Sequence, residues 1–186
     1  EGVDGALKMA ENHAKYGTTT LLGTASAMTT QGYVTMFENF REIQRKNTKG
    51  AYIPGIHMEA PYFSKNQAGA QGPLIRDFDK AEYTMLIQRY GDMIYRWSAA
   101  PELPGAREFA RACRDAGIQL SIGHSDADYD CVMEMYDLGF QCATHLYSCT
   151  STVHRKNAYR YAGVVEAAYM IDGMDVELIA DGKHLP

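Results

Sequence analysis

Glu59, His124 and His145 each close a short apolar run that reads as a β-strand. One carboxylate and two imidazoles from three separate strands form a His₂Glu set, which holds a divalent ion and leaves a fourth position open for water or substrate. Their separations match no local zinc motif, so spacing alone equally allows two packed or hydrogen-bonded histidines. His57 lies two residues before Glu59 on the same strand and shares its side, in a structural or supporting role. Asp181-Gly182-Lys183-His184 follows another strand. A neutral His184 there could polarise a carbonyl or hold a substrate hydroxyl, and Asp-Gly equally well makes a plain turn. His154-Arg155-Lys156-Asn157-Ala158-Tyr159-Arg160 is a basic loop whose arginine forks match phosphate or carboxylate oxygens; the alternative is a solvated loop. Gly69-Ala70-Gln71-Gly72-Pro73 lacks the lysine and helix start of a phosphate-binding loop. Ser125 has no nucleophile elbow around it, and Trp97 reads as core.

Chemistry gathered from separate strands needs a scaffold that aligns strand ends. Strands are expected at 18–22, 51–59, 93–98, 118–122, 141–146 and 176–180. Helices are expected at 2–16, 35–49, 79–89, 104–116 and 128–138, with Asp79 as a cap and glycines 17, 117 and 139 as stops. Repeated β/α units imply a parallel sheet. Glu59, Glu102, His124, His145, Asp181 and His184 all lie just past strand C-termini, the catalytic face of a (β/α)₈ barrel. A doubly wound open sheet is the rival, but it draws its chemistry from fewer strand ends. Six strand candidates are about two β/α units short of a closed barrel. Residues 1–186 are therefore read as a partial barrel domain.

Composition narrows the partners. The chain has 186 residues, 46% of them hydrophobic and 22% charged, with a formal net charge of −5. A pI near 5.7 argues against general nucleic-acid binding. No run approaches the ~20 apolar residues of a membrane span. Cys113, Cys131, Cys142 and Cys149 form no Cys-x-x-Cys pair and read as free thiols of a reducing cytoplasm.

Gly55-Ile56-His57-Met58-Glu59-Ala60-Pro61-Tyr62-Phe63, Gly69-Ala70-Gln71, Ala100-Pro101-Glu102, Gly123-His124-Ser125-Asp126-Ala127, Ala143-Thr144-His145-Leu146-Tyr147 and Ile179-Ala180-Asp181-Gly182-Lys183-His184 together resemble the N-acetylglucosamine-6-phosphate deacetylase family of the amidohydrolase superfamily. The resemblance covers essentially the whole chain. It implies a metal-bearing (β/α)₈ barrel with a flanking β-sandwich that lies outside these residues. The implied reaction hydrolyses the N-acetyl amide of N-acetylglucosamine 6-phosphate to glucosamine 6-phosphate and acetate.

Carried over by motif, Glu59, His124 and His145 would hold the metal, most simply Zn²⁺, with Fe²⁺, Co²⁺ or Mn²⁺ also suited. His184 would act on the amide carbonyl beside Asp181. Ala70, Gln71, Ser148 and Cys149 would meet the sugar or phosphate. Arg155, with Arg160 as the alternative, would grip the phosphate, in the family often across a homodimer. The chain departs from the family at Ala60 (usually Gly), Gln71 (often His) and Ser148-Cys149 (often Asn-Ala). The family's first barrel strand is expected before Glu1. Its catalytic aspartate is expected beyond Pro186, so these residues alone are expected to be inactive. The departures keep open a related amidohydrolase acting on another N-acyl substrate, and a barrel that binds metal or sugar phosphate without chemistry.

Overall fold

The computed structural model describes residues 2–185. Six parallel strands form one sheet in chain order: β1 (Gly23–Ala25), β2 (Ile56–Glu59), β3 (Ile94–Ala99), β4 (Gln119–Ile122), β5 (Phe140–Ala143) and β8 (Asp175–Val176). The helices are α1 (Val3–Lys15), α2 (Thr30–Lys46), α3 (Lys80–Tyr90), α4 (Ala106–Asp115), α5 (Tyr129–Asp137) and α6 (Val164–Met170). Between β5 and α6 lies an antiparallel hairpin, β6 (His154–Lys156) and β7 (Tyr159–Tyr161). The strand order never reverses, so the described residues contain no switch point of the doubly wound kind.

Local chemistry sets the helix starts. Thr29 Oγ1 accepts from Gly32 N–H, Asp79 from Ala81 and Glu82, and Asp128 from Cys131. On α2, Tyr33, Phe37, Phe40 and Ile43 fall on one stripe, and all four are buried.

Register separates the two faces of the sheet. Met58, Trp97 and Leu120 are aligned and belong to the main apolar core with the helices. Their neighbours Glu59, Ser98 and Ser121 are also aligned and project to the opposite, polar face. Tyr62, Phe78, Tyr83 and Phe109 pack around Trp97 with ring-centroid separations of 4.8 to 6.4 Å. Trp97 Nε1–H donates to the Ala60 carbonyl at 2.8 Å, so this core residue also ties β3 to the turn after Glu59.

Five of the six expected strands are shorter than the sequence suggests; the 141–146 strand ends at Ala143, before His145, and the 176–180 strand keeps only Val176, in β8. The expected 18–22 strand keeps only an isolated Thr20–Tyr52 bridge, and the ladder begins at Gly23 opposite Ile56. Pro54 explains both this and the late start of β2: it has no N–H to donate, so it interrupts the partner segment. The expected basic loop is the β6–β7 hairpin. α6 was not expected at all; its Val-Val start is a poor helix signal, and burial of Val164, Val165, Ala167 and Ala168 sustains it.

Candidate metal centre

The parallel register brings the ends of β2, β4 and β5 together, and Glu59, His124 and His145 meet there. Glu59 Oε1 lies 3.2 Å from His124 Nε2 and 3.0 Å from His145 Nε2; the two Nε2 atoms are 3.2 Å apart. A tetrahedral ion with 2.0–2.1 Å bonds requires donor atoms about 3.3 Å apart, close to this triangle. Among the described residues this is the one group of three or more His, Cys, Asp or Glu side chains able to hold an ion.

The protonation pattern fits as well. His124 Nδ1 is 2.7 Å from the Gln67 carbonyl, which can only accept, so Nδ1 carries the proton and Nε2 presents a lone pair to the triangle. His124 also stacks on Phe63, with centroids 4.4 Å apart and planes at 21°. His145 is held at one end only: its buried Nδ1 has no protein partner among the described residues. Burial would raise the Glu59 pKa, but the close approach of His124 and His145 holds the carboxyl well below its usual range. Burial would lower that of His145, and the hydrogen bond and charge of Glu59 raise it overall.

The backbone around the site is bent in unusual ways. His124 (φ 50°), His145 (φ 35°), Tyr147 (φ 80°) and Cys149 (φ 50°) all adopt the left-handed region. Ala60 has φ 145°, a conformation easy for glycine and strained for alanine, at the position where the family resemblance expects Gly. Gly69 (φ 52°) lets its loop close over the site: a Cβ there would meet Cys149 Sγ at 2.5 Å and His124 Cε1 at 3.3 Å.

Beneath the triad is a polar floor. Arg96 Nη2 lies 3.4 Å from His57 Nδ1, so His57 accepts there and donates from Nε2 to Ser98 Oγ at 2.6 Å. Ser98 Oγ is 2.7 Å from Thr144 Oγ1, and Arg96 pairs with Glu177. A cavity of about 360 Å³ runs from Glu59 and His145 down to His57, Arg96 and Glu177. Burial, with the charge of Arg96, lowers the His57 pKa from 6.5 to about 4, so the ring stays neutral.

The other expected site residues divide into two groups. Gln71 reaches the triad: its Nε2 lies 3.3 Å from Glu59 Oε1, while its Oε1 accepts from Ala27 N–H at 2.9 Å. Ala70 is exposed on the same loop, Ser148 sits in the turn after His145, and Cys149 packs beside Gly69 and His124. Asp181 and His184 are exposed and bond to each other at 2.8 Å, with no hydrogen bond to the triad. Arg155 and Arg160 are exposed and directly opposed on the hairpin. Gln67, Glu102 and Asp126, which carry no expected site role in the sequence, all hold the segment around His124. Glu102 was visible as a polar residue past a strand end; the partners of the other two are distant in sequence.

No protein-family model matches the chain. Curated relatives do. The chain is 34% identical over 172 residues to the N-acetylglucosamine-6-phosphate deacetylase of Bacillus subtilis, covering 90% of this chain and 42% of that protein. It is 31% identical over 182 residues to that of Lysinibacillus sphaericus, covering 92% and 43%. The chain belongs to the N-acetylglucosamine-6-phosphate deacetylase family. It spans under half the length of these two relatives. An N-acetylgalactosamine-6-phosphate deacetylase of Escherichia coli O157:H7 is 31% identical over 137 residues, 73% of this chain and 35% of that one.

The deacetylase of Pasteurella multocida superposes with a TM-score of 0.87 at 29% identity, covering 99% of this chain and 47% of that structure. A Mycobacterium smegmatis deacetylase variant in complex with N-acetyl-D-glucosamine-6-phosphate matches with a TM-score of 0.84 at 26% identity, covering 98% and 45%. The six-stranded parallel sheet is thus the sheet of this deacetylase family. Among the described residues no helix is long and apolar enough to cross a membrane.

Proposed function

We propose that this chain carries the metal-binding part of an amidohydrolase that removes the acetyl group of N-acetylglucosamine 6-phosphate. The observation that carries the reading is the triangle of Glu59 Oε1, His124 Nε2 and His145 Nε2, on a sheet that matches the deacetylases. A divalent cation held there would polarise the amide carbonyl and lower the pKa of water toward ~7. Zinc suits the donor set best. Glu59 supplies the negative charge, and the two neutral imidazoles supply lone pairs. Gln71 keeps Glu59 Oε1 in place from the loop expected to meet the sugar. His184 is assigned to the amide carbonyl, with Asp181 orienting its ring through Nδ1.

The hairpin favours a phosphate. Arg155 and Arg160 face each other across the antiparallel pair, an unfavourable placement of like charges unless an anion sits between them. Both arginines are therefore assigned to the phosphate, across a homodimer interface as in the family resemblance. The six strands are read as part of a (β/α)₈ barrel, in a cytoplasmic enzyme. Gln71, Ser148 and Cys149, which depart from the family pattern, leave room for another N-acyl substrate, and the similarity to a relative named N-acetylgalactosamine-6-phosphate deacetylase makes that sugar phosphate the second candidate.

Calorimetric titration of the zinc-loaded chain with three sugars tests this. Tight binding of one N-acetyl hexosamine 6-phosphate, and none of unphosphorylated N-acetylglucosamine, is the expected result. Equal binding of the phosphorylated and unphosphorylated sugars would overturn the phosphate assignment.

A further inference from the structure

His124 holds a left-handed backbone at a strand end, and its ring must point one particular nitrogen at the triad. The carbonyl that selects this nitrogen belongs to Gln67, on the loop after β2, which has no regular ladder to hold it. Asp126 holds that loop instead. Its Oδ2 accepts from Ser64 Oγ at 2.5 Å and from Asn66 Nδ2 at 3.0 Å, and its Oδ1 accepts from Gln67 Nε2 at 2.7 Å. One carboxylate thus gathers three side chains within four consecutive residues. A further bond closes the same loop onto the ligand itself: Ser64 N–H donates to the His124 carbonyl at 2.9 Å.

The carboxylate is itself held. Glu102 Oε1 accepts from Asp126 N–H at 2.6 Å, and Glu102 Oε2 accepts from Ser125 Oγ at 2.7 Å. The two residues after His124 are therefore pinned to β3's far end, and Asp126 carries that rigidity across to the Gln67 carbonyl. Three neutral donors converging on one carboxylate give a stiffer link than neutral bonds would.

We propose that Asp126 is a positioning residue for His124: by clamping Ser64–Gln67 it sets the Gln67 carbonyl, which keeps the His124 proton on Nδ1 and its Nε2 lone pair directed at the ion. This rests on the metal reading above, and it makes Asp126 a determinant of metal affinity although it touches no ligand atom of the triad. Outer partners of metal-bound histidines act by fixing tautomer and ring angle. The loop so clamped runs directly into Gly69-Ala70-Gln71, so the same carboxylate links the metal ligand to the expected sugar-binding turn.

The test uses the full chain with ¹⁵N-labelled imidazoles, stripped of metal at mildly alkaline pH. Long-range proton–nitrogen correlation spectra report which nitrogen of His124 is protonated, and competition with a chromophoric chelator reports zinc affinity. The expected result is an Nδ1–H tautomer in the wild type and a mixed or Nε2–H tautomer in Asp126→Ala, with zinc affinity lower by about 10- to 100-fold. Asp126→Asn, which keeps the shape and one acceptor, is expected to fall between them and covers the case in which the alanine variant does not fold. Phe40→Leu, a core change on α2 away from the clamp, is expected to lower the melting temperature and leave tautomer and affinity unchanged. An Asp126 variant that loses only melting temperature, with the Nδ1–H tautomer and zinc affinity intact, would overturn the proposal. A wild type that binds no zinc would sink the metal reading instead, while the metal-free tautomer measurement would still judge the clamp.

Discussion

The Nε2 atoms of His124 and His145 face each other at 3.2 Å, with Glu59 Oε1 completing the triangle. Two lone-pair donors and a carboxylate at this spacing are stable together only around a cation or a shared proton. The metal and the proton therefore compete for His145, whose pKa lies above its usual value because Glu59 outweighs its burial. Below that pKa, zinc affinity is expected to fall by about tenfold per pH unit as the proton must be displaced. Zinc titrations across mildly acidic to alkaline pH check this. A pH-independent affinity would mean that His145 is not a ligand.

His57 gives the metal-free protein a second pH dependence. Its pKa falls from 6.5 to about 4 on folding. Between these values the unfolded chain binds a proton that the folded chain does not. This stability is fully present above 6.5 and is lost as pH falls through about 4. The total is a few kcal/mol, at about 1.4 kcal/mol per pH unit. Urea unfolding of the wild type and His57→Gln in chelator should give curves that diverge through this window and run parallel above it.

Glu82 ties α2, α3 and the loop after β2 into one unit. It is 6% exposed and accepts from Thr30 Oγ1 at 2.6 Å, Tyr62 OH at 2.9 Å, and Arg76 Nε and Nη2 at 3.1 and 2.6 Å. Its burial would raise its pKa, yet the bonds from Arg76, Thr30 and Tyr62 lower it, so its contribution is present above 4.5 and lost as pH falls below. Glu82→Leu leaves the guanidinium without its partner and is expected to cost about 3–5 kcal/mol in chemical denaturation. A loss below about 1 kcal/mol would show that solvent replaces the pair, as at surface ion pairs.

Arg155 and Arg160 are cross-strand partners, so the hairpin should treat them alike. Either alanine variant is expected to weaken sugar-phosphate binding by about 1.5–3 kcal/mol, the range for hydrogen bonds to charged groups, without changing zinc content. Titration of each variant with the sugar phosphate checks this. Loss on one side only would assign the phosphate to that arginine alone.

Much of this arrangement was legible in the sequence because each residue of the triad closes an apolar run. Glu59, His124 and His145 could be placed at strand ends from hydrophobic pattern alone, and the six strands of the sheet follow the six runs in order, the first displaced to Gly23–Ala25 where Pro54 interrupts pairing and the last reduced to Asp175–Val176. What holds the ligands was not legible. The Gln67 carbonyl and the Asp126 clamp depend on loop geometry between segments far apart in the chain, which no periodicity encodes. The hairpin was hidden because its strands are three residues each and its turn, Asn157-Ala158, lacks the glycine that usually marks one. α6 was hidden because packing rather than propensity forms it.

The most direct test of the account is the elemental metal content of the purified full chain, supplied with zinc, beside its Glu59→Gln and His145→Ala variants. The account predicts near-stoichiometric zinc in the wild type and its loss from both variants while they remain folded. A folded wild type without zinc, or folded variants that retain it, would contradict the assignment of Glu59, His124 and His145 as the metal site.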